Sequence, residues 1–248
     1  MSIFLVGAGP DYVAFPEVFD RFAEEVSRHV RPEGPVRVAV VVHDRGGNPA
    51  ARLPEYAEPL NARNSCDVVP VLLGREEAVN PAVFDGVDAV VVGGGLTPAY
   101  WEALKGAAAA ILRRVADGAP YLGFSAGAMI TPESALIGGY RVDGREVCGE
   151  ECSEGLDDVA IRDGLGLAPF AVDVHAAQTG TLSRAVGAVA AGLAARAVAI
   201  DENTAIVLPA AGSADFQVIG TGNCWDIRTL PGGPEGSSAV TVTVLGAT

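Results

Sequence analysis

Lysine is almost absent from this sequence of 248 residues, in which Lys105 is the only one. Together with the arginines, the basic residues number 17 against 31 acidic ones, and the formal net charge at pH 7 is −14. Proteins bind nucleic acids and anionic membranes mainly through clustered lysine and arginine side chains. We therefore expect neither nucleic acid nor a membrane surface as a partner.

Long apolar runs are also missing. The longest ones, such as Gly106–Leu112 and Val186–Ala195, are rich in alanine and much shorter than the ~20 residues that span a bilayer. Residues 1–7 lack the basic start of a secretory signal and instead predict a buried strand. With 49% hydrophobic and 19% charged residues, the chain is expected to fold as one cytoplasmic domain over residues 1–248.

Cysteine and histidine are scarce, with four and three residues respectively. Cys148 and Cys152 stand close in sequence, but the chain supplies too few nearby ligands for a closed zinc site. The turn Gly7–Pro10 resembles a dinucleotide-binding loop, yet Tyr12 replaces the third glycine of that pattern. We therefore expect no metal and no cofactor, and we expect the cysteines to be reduced.

Short apolar strands that alternate with helical stretches dominate the first half. Continuous apolar runs of this kind are typical of a parallel sheet that is covered on both faces. The predicted strands are Ile3–Val6, Val36–Val42, Val68–Leu72, Ala89–Val92 and Tyr121–Phe124, and the predicted helices are Pro16–Arg28, Ala50–Asn61 and Pro98–Ala116. This order predicts a doubly wound α/β fold with a mostly parallel sheet flanked by helices.

The second half is less regular and adds further strands. We predict a hairpin or excursion within Gly138–Gly155, a helix at Ser183–Ala195 and a surface loop at Pro231–Gly236. The additional predicted strands are Ala171–Val174, Ala197–Ile200, Thr204–Leu208, Phe216–Ile219, Cys224–Thr229 and Val240–Leu245. Because ligands of doubly wound sheets bind beyond the carboxyl ends of the strands, the residues that follow each strand are the candidates for function.

The segment Gly123-Phe124-Ser125-Ala126-Gly127 matches the G-x-S-x-G pattern of a nucleophile at a tight strand-to-helix turn. Small flanking residues permit such a turn, and the amide of Ala126 then faces the place where a substrate carbonyl oxygen becomes negative. The alternative is a turn of small residues that merely packs a helix on the sheet. The strand–turn–helix context favours Ser125 as a nucleophile.

Gly93-Gly94-Gly95 ends the neighbouring predicted strand. Residues without Cβ expose their amides, so Gly94 or Gly95 can supply the second donor of an oxyanion hole. A flexible turn before the next helix is the alternative. The position beside the candidate nucleophile favours the oxyanion hole.

A serine nucleophile needs a base, and only His29, His43 and His175 are available. His29 ends a predicted helix, where a cation has a structural role. His43 and His175 each follow a predicted strand, and the pattern favours His175 without excluding His43. Glu202, in the turn 201–203, is well placed as the orienting acid, although 31 acidic residues compete for that role.

These motifs resemble those of the serine peptidase family that contains dipeptidase E (aspartyl dipeptidase) and cyanophycinase. The resemblance covers roughly residues 36–208, and the segments Gly164–Leu167, Asp173–His175 and Ala199–Ala205 look closest to the cyanophycinase branch. It implies a class I glutamine-amidotransferase-like α/β fold and a Ser-His-Glu triad. Matched residue by residue, Ser125 is the implied nucleophile, His175 the base and Glu202 the acid.

The resemblance also implies a substrate site, where this sequence departs from the family. Leu96 follows the three glycines in place of the usual Asn or Asp, and Val174 stands where cyanophycinases have Gln. Thr179 and Thr181 replace arginines, and only Arg184 remains. We expect substrate contacts from Leu96, Asp173, Val174 and Arg184. The departures predict a substrate other than cyanophycin and a specificity that is not strictly Asp-Xaa.

We predict hydrolysis of an amide bond in a short peptide or isopeptide through an acyl-enzyme. An α/β-hydrolase esterase would instead take its acid from Asp143, Asp157 or Asp163, because in that class the acid precedes the histidine. A glutamine amidotransferase is disfavoured, since Ser125 stands in place of a cysteine nucleophile. A binding or sensor module on an inactive scaffold is a further alternative, and the subunit count is open between a monomer and a homodimer.

Overall fold

The centre of the computed structural model is a seven-stranded sheet in which five neighbouring strands run parallel. Across the sheet the strands are β13 (Gln217–Gly220), β12 (Thr204–Leu208), β1 (Ile3–Val6), β5 (Tyr121–Phe124), β4 (Ala89–Val92), β2 (Val36–His43) and β3 (Cys66–Leu73). Strand β12 is antiparallel to β1, and β13 is antiparallel to β12. The structure describes residues 2–29, 34–43, 47–74, 78–230 and 239–247, so the predicted loop Pro231–Gly236 lies outside the described ranges.

Helices cover both faces of this sheet. They are α1 (Pro16–His29), α2 (Leu53–Asn61), α3 (Thr97–Leu104), α4 (Ala108–Ala116), α5 (Ala126–Met129) and α6 (Leu182–Ala190). Successive side chains of a strand point to opposite faces, so Ile3 and Leu5 join a buried cluster with α3 and α4, whereas Phe4 and Val6 join one with α1 and α2. The predicted α/β class with a mostly parallel, two-sided sheet is thereby confirmed.

The C-terminal strands build a second sheet beside the first. Its four strands, in order, are β10 (Ala171–Val174), β11 (Arg196–Ile200), β14 (Asn223–Thr229) and β15 (Val240–Gly246). Two small antiparallel pairs complete the described strands: β6 (Ser134–Gly138) with β9 (Ala160–Asp163), and β7 (Arg141–Val142) with β8 (Arg145–Glu146). The β7–β8 pair is the hairpin expected within Gly138–Gly155. The four strands of the second sheet correspond to predicted strands, whereas β6 and β9 were not predicted, and neither was the division of the late strands between two sheets.

Three predicted helices have different bounds in the structure. The predicted helix Pro98–Ala116 is divided by a 3₁₀ turn at Lys105–Ala107, where Gly106 weakens a continuous α-helix. The predicted helix Ala50–Asn61 starts as a separate 3₁₀ turn at Pro49–Arg52, and two further short 3₁₀ turns are Pro81–Phe84 and Glu150–Cys152. Helix α6 ends at Ala190 rather than Ala195, because Gly192 adopts a left-handed conformation with φ of +73°.

The two sheets meet at the carboxyl end of β1. The carbonyl of Gly7, the residue after β1, accepts a hydrogen bond from the amide of His175, the residue after β10. Gly7 must be glycine here, because a Cβ would lie 2.1 Å from the carbonyl oxygen of Asp201. This close approach places the ends of β5, β10 and β11 next to one another.

Across the described residues, no helix has the length and apolarity needed to cross a membrane.

Candidate active site

Ser125 lies at a strained turn between β5 and α5. Its backbone has φ of 48° and ψ of −107°, a conformation that non-glycine residues rarely adopt. The turn needs small neighbours, since a Cβ on Gly127 would lie 2.3 Å from the carbonyl oxygen of Val92 in β4. This is the strand–turn–helix geometry that the G-x-S-x-G pattern predicts.

The three residues Ser125, His175 and Glu202 form one hydrogen-bonded chain. The Ser125 Oγ lies 3.1 Å from His175 Nε2, and His175 Nδ1 lies 2.7 Å from Glu202 Oε1. A carboxylate only accepts hydrogen bonds, so we assign the imidazole proton to Nδ1. The lone pair of Nε2 then faces the serine hydroxyl, and the arrangement can remove a proton from Ser125 Oγ.

The backbone of the β11–β12 turn fixes Glu202. Its amide donates to Gln178 Oε1 at 3.0 Å, and the following residue, Asn203, has φ of 52°. Gln178 belongs to the same loop as His175, so His175 and Glu202 are held by one local network. The Ser-His-Glu arrangement joins residues that follow a strand of the central sheet and two strands of the second sheet.

Asp201 is a residue of this network to which the sequence reasoning gave no role. Its buried carboxylate accepts hydrogen bonds from the amides of Ala177 and Asn223 and from Trp225 Nε1. It thereby ties the loop after His175 to β14. The sequence feature that could have identified Asp201 is its position directly after a buried strand. A carboxylate at such a position needs hydrogen-bond donors.

The predicted oxyanion donors differ in whether their amides already have an acceptor. In the described part of the chain, neither Ala126 N–H nor Gly95 N–H donates to an acceptor. The Gly94 amide is already engaged, because it donates to Tyr56 Oη at 2.9 Å. Of the two predicted alternatives, Gly94 and Gly95, only Gly95 has an amide without an acceptor among the described residues.

The residues predicted to contact substrate lie in two different environments. Leu96 is 44% exposed and follows Gly95 directly. Asp173, Val174 and Arg184 are buried, at 0%, 2% and 2% exposure. The Arg184 guanidinium forms a two-bond ion pair with Asp173, with distances of 2.8 and 2.6 Å. The structure therefore places Asp173, Val174 and Arg184 in the interior, whereas the sequence prediction has them contacting substrate.

The physical reason is that an arginine binds an internal aspartate with the same forked geometry that it would use for a substrate carboxylate. Burial alone would lower the pKa of Arg184, but the ion pair with Asp173 holds it above its ordinary value. Arg184 is therefore charged and fully occupied inside the protein.

Glu154 is a second residue that the sequence reasoning did not select. Its carboxylate accepts hydrogen bonds from the amide (2.9 Å) and the hydroxyl (3.2 Å) of Thr97, at the start of α3. Burial raises the pKa of Glu154, and the hydrogen bond from the Thr97 amide opposes this change. Glu154 therefore links the Gly138–Gly155 excursion to the segment that follows Gly95.

The competing site residues lie elsewhere. His43 ends β2, with its ring 5.9 Å from the ring of Tyr100. His29 is the last residue of α1. The acids of the esterase alternative are exposed, and within the described ranges none of them bonds His175; they are Asp143, Asp157 and Asp163. The described residues also contain no group of three or more His, Cys, Asp or Glu side chains that could hold a metal ion.

Comparisons with known proteins agree with this architecture. A model of peptidase family S51 matches residues 58–212, which include Ser125, His175 and Glu202. No curated protein sequence matches the chain. A crystal structure of a peptidase from an acI-B1 Actinobacterium is similar, with a TM-score of 0.66 and 19% identity over 99% of this chain and 94% of that one. A putative peptidase E protein from Listeria monocytogenes EGD-e gives a TM-score of 0.51 and 17% identity over 88% of this chain and 98% of that one.

Proposed function

Because the chain belongs to peptidase family S51, a family of serine peptidases, we propose that it hydrolyses an amide bond in a short peptide or isopeptide. In this proposal Ser125 is the nucleophile, His175 the general base and Glu202 the acid that orients the imidazole. The observation that carries it is the hydrogen-bonded chain, with 3.1 Å from Ser125 to His175 and 2.7 Å from His175 to Glu202.

The first half of the proposed reaction is acylation. His175 Nε2 takes the proton of Ser125 as Oγ attacks the carbonyl carbon of the substrate. The carbonyl oxygen becomes negative and accepts hydrogen bonds from the amides of Ala126 and Gly95. His175 then protonates the amine nitrogen, the C–N bond breaks, and an ester remains on Ser125.

The second half is deacylation by water. His175 removes a proton from a water molecule, which attacks the ester carbon. The carboxylic acid product leaves, and His175 returns the proton to Ser125 Oγ. Throughout the cycle Glu202 keeps the Nδ1 proton in place and stabilises the imidazolium, so neither half requires a metal or an organic cofactor.

We further propose a substrate other than cyanophycin and other than a strictly Asp-Xaa peptide. Arg184 cannot serve a substrate carboxylate while it is paired with Asp173. Leu96 presents a half-exposed apolar side chain next to the Gly95 amide. An apolar contact at this position favours a neutral group near the scissile bond.

The test is labelling and turnover with the Ser125→Ala variant. We expect a fluorophosphonate to modify Ser125 of the wild-type protein, and we expect Ser125→Ala to lose both the adduct and turnover of a dipeptide and isopeptide library. Ser134→Ala, at an exposed serine of β6, is the matched control and should behave as wild type. Turnover at the wild-type rate by Ser125→Ala would remove the nucleophile assignment. A wild-type protein without an adduct would support the binding-module alternative.

A further inference from the structure

Three side chains from outside the proposed catalytic chain hold the backbone of Gly94. Tyr56 Oη accepts the Gly94 N–H at 2.9 Å, Arg52 Nη1 donates to the Gly94 carbonyl at 2.8 Å, and Tyr100 Oη donates to the same carbonyl at 3.4 Å. We call Arg52, Tyr56 and Tyr100 the Gly94 clamp. Both tyrosines are fully buried, and Arg52 is braced by an ion pair with Glu55 at 2.9 Å.

The clamp packs directly on the backbone of the three glycines. A Cβ on Gly93 would lie 2.8 Å from Tyr56 Oη and 3.0 Å from Tyr100 Oη. The Arg52 guanidinium also lies 5.9 Å from the centre of the Tyr56 ring. The first glycine is therefore required by the tyrosine hydroxyls, and the three clamp residues act on the backbone as one unit.

The direction of the Gly95 amide follows from the planarity of the peptide bond. In a trans peptide the C=O and the next N–H point in opposite directions. The Gly94 N–H points to Tyr56, and the carbonyl of the same peptide, that of Gly93, accepts the Gly127 amide at 3.2 Å in α5. The side opposite the clamp is therefore the side of the nucleophile turn.

The same rule applies to the next peptide. Its carbonyl, that of Gly94, points to Arg52, and no described peptide bond is cis. The Gly95 N–H must then point away from Arg52, toward the side that carries α5 and Ser125. A rotation of this peptide would turn the Gly94 carbonyl oxygen toward that side instead. A carbonyl oxygen there would repel the developing negative charge of the substrate.

We propose that Arg52, supported by Tyr56 and Tyr100, is a positioning residue that fixes the Gly95 N–H as the second oxyanion donor beside Ala126. This inference rests on the proposed function. Glycine peptides rotate more freely than any others, so a donor built from consecutive glycines needs an external constraint to stay preorganised. The clamp supplies that constraint without touching the substrate.

The experiment measures the second-order rate of Ser125 modification by a fluorophosphonate. In this reaction Ser125 Oγ displaces fluoride from phosphorus, the serine proton passes to His175, and the phosphoryl oxygen occupies the oxyanion position. We expect Arg52→Met to lower the rate about 10- to 100-fold, because loss of a single oxyanion donor costs a factor of about 10² to 10³ in serine hydrolases. The shape of the pH profile should not change, since His175 and Glu202 keep their contacts. Arg52→Lys, which can still donate to the Gly94 carbonyl, should recover part of the rate.

Arg114→Met is the matched control. Arg114 also donates to a backbone carbonyl, that of Val87, and pairs with an acid three residues later, Asp117. Its side chain is 23% exposed, compared with 15% for Arg52. Removal of Arg114 therefore costs a similar set of contacts in α4, and the modification rate should stay within about two-fold of wild type.

Several outcomes separate this inference from the proposed function. A wild-type protein that is modified at Ser125, with Arg52→Met as fast as Arg114→Met, would overturn the inference alone. A wild-type protein that is never modified would overturn both. If the melting temperature shows that Arg52→Met does not fold, Arg52→Lys and Tyr56→Phe carry the test. Tyr56→Phe removes the hydroxyl that accepts from the Gly94 amide and from Arg52 Nη2. A rate within two-fold of wild type would again overturn the inference.

Discussion

The backbone conformations of Ser125 and His175 are as informative as their side chains. Both residues have positive φ angles, 48° and 57°. Such sparsely populated backbone conformations cost a non-glycine residue on the order of 1–3 kcal/mol. Strain of this kind persists where the surrounding structure enforces it, and it is concentrated at functional sites. Two strained residues joined by one hydrogen bond therefore support a shared catalytic role.

At Glu202, the smallest useful change is Glu202→Gln. The amide side chain can donate to His175 Nδ1, which would move the imidazole proton to Nε2 and remove the acceptor that faces Ser125. We expect kcat for an amide substrate to fall by about 10² to 10⁴, with KM changed much less. Steady-state kinetics on the best substrate of the peptide library measure both quantities.

Asp143→Asn is the control for this prediction, because Asp143 is the first acid of the esterase alternative and is exposed. It should keep wild-type kcat. Full activity in Glu202→Gln together with a loss in Asp143→Asn would contradict the proposed roles and favour the esterase arrangement.

At the residue scale, the sequence predicts which residues form the site better than it predicts where their backbone amides point. The motifs around Ser125 and the family resemblance were enough to select His175 and Glu202, which the structure places within hydrogen-bond distance. The sequence could not distinguish Gly94 from Gly95 as the second oxyanion donor. The two glycines have identical chemistry and differ only in where their amides point. That direction is set by Tyr56 and Arg52, which are distant in sequence.

At the scale of elements, Arg184 joins three parts of the fold. It belongs to α6, pairs with Asp173 of β10, and donates to the carbonyls of Gly139 and Cys152 in the Gly138–Gly155 excursion. Because His175 directly follows β10, the ion pair involves the strand that carries the proposed base. The buried Arg184–Asp173 pair thus holds the Gly138–Gly155 excursion against the site, in addition to apolar packing.

Removing one partner of this pair should be strongly destabilising. Arg184→Met leaves the Asp173 carboxylate buried without its counter-ion, and we expect a loss of about 3–5 kcal/mol in the free energy of unfolding. The double variant Asp173→Leu with Arg184→Met removes both charges and should be less destabilised than the single variant. Urea unfolding followed by circular dichroism measures both.

Arg141→Met is the control for the buried pair. Arg141 forms a surface ion pair with Glu146, at 38% and 66% side-chain exposure, so its loss should destabilise the protein much less than the loss of Arg184. A cost for Arg184→Met as small as that of Arg141→Met would show that the buried pair does not fasten the excursion.

Most strands were predictable because a buried strand of a two-sided sheet is a continuous apolar run. Strands β1, β4, β5, β10 and β12 have the predicted bounds. Helix ends were less predictable, as at Gly192, where one left-handed residue stops α6 five residues early. The partners of the late strands were not predictable, since β11 and β12 follow each other in sequence but belong to different sheets.

At the scale of the whole molecule, the proposed chemistry lies where two sheets meet. The central sheet carries Ser125 after β5, and the second sheet carries His175 and Glu202 after β10 and β11. Any change that loosens the second sheet should therefore move the base and the acid relative to the nucleophile. Activity should therefore depend on the stability of the second sheet. An ion-pair network within that sheet, remote from the site, can thereby affect the site.

That network is centred on Asp226 of β14. Its carboxylate accepts hydrogen bonds from Arg196 in β11 at 2.8 Å and from Arg228 at 2.9 Å. Burial alone would raise the pKa of Asp226, but the hydrogen bonds and charges of the two arginines hold it below the ordinary value near 3.8. Asp226 therefore stays ionised in the folded protein at a pH where it is already protonated in the unfolded chain.

The lowered pKa of Asp226 makes the stability of the folded protein depend on pH. Between the two pKa values the unfolded chain binds a proton that the folded protein does not, so stability falls as pH falls through this window below about 4.

Asp226→Asn cannot titrate. We expect it to cost about 2 kcal/mol of unfolding free energy at pH 7, a difference from wild type that shrinks below about pH 4. Urea unfolding at a series of pH values between 7 and 3.5 measures this difference. Asp117→Asn, in an exposed ion pair with Arg114, should show a small difference at every pH. A difference in unfolding free energy between Asp226→Asn and wild type that stays constant or grows as the pH falls would contradict the prediction. It would show that Asp226 in the second sheet does not make the protein sensitive to acid.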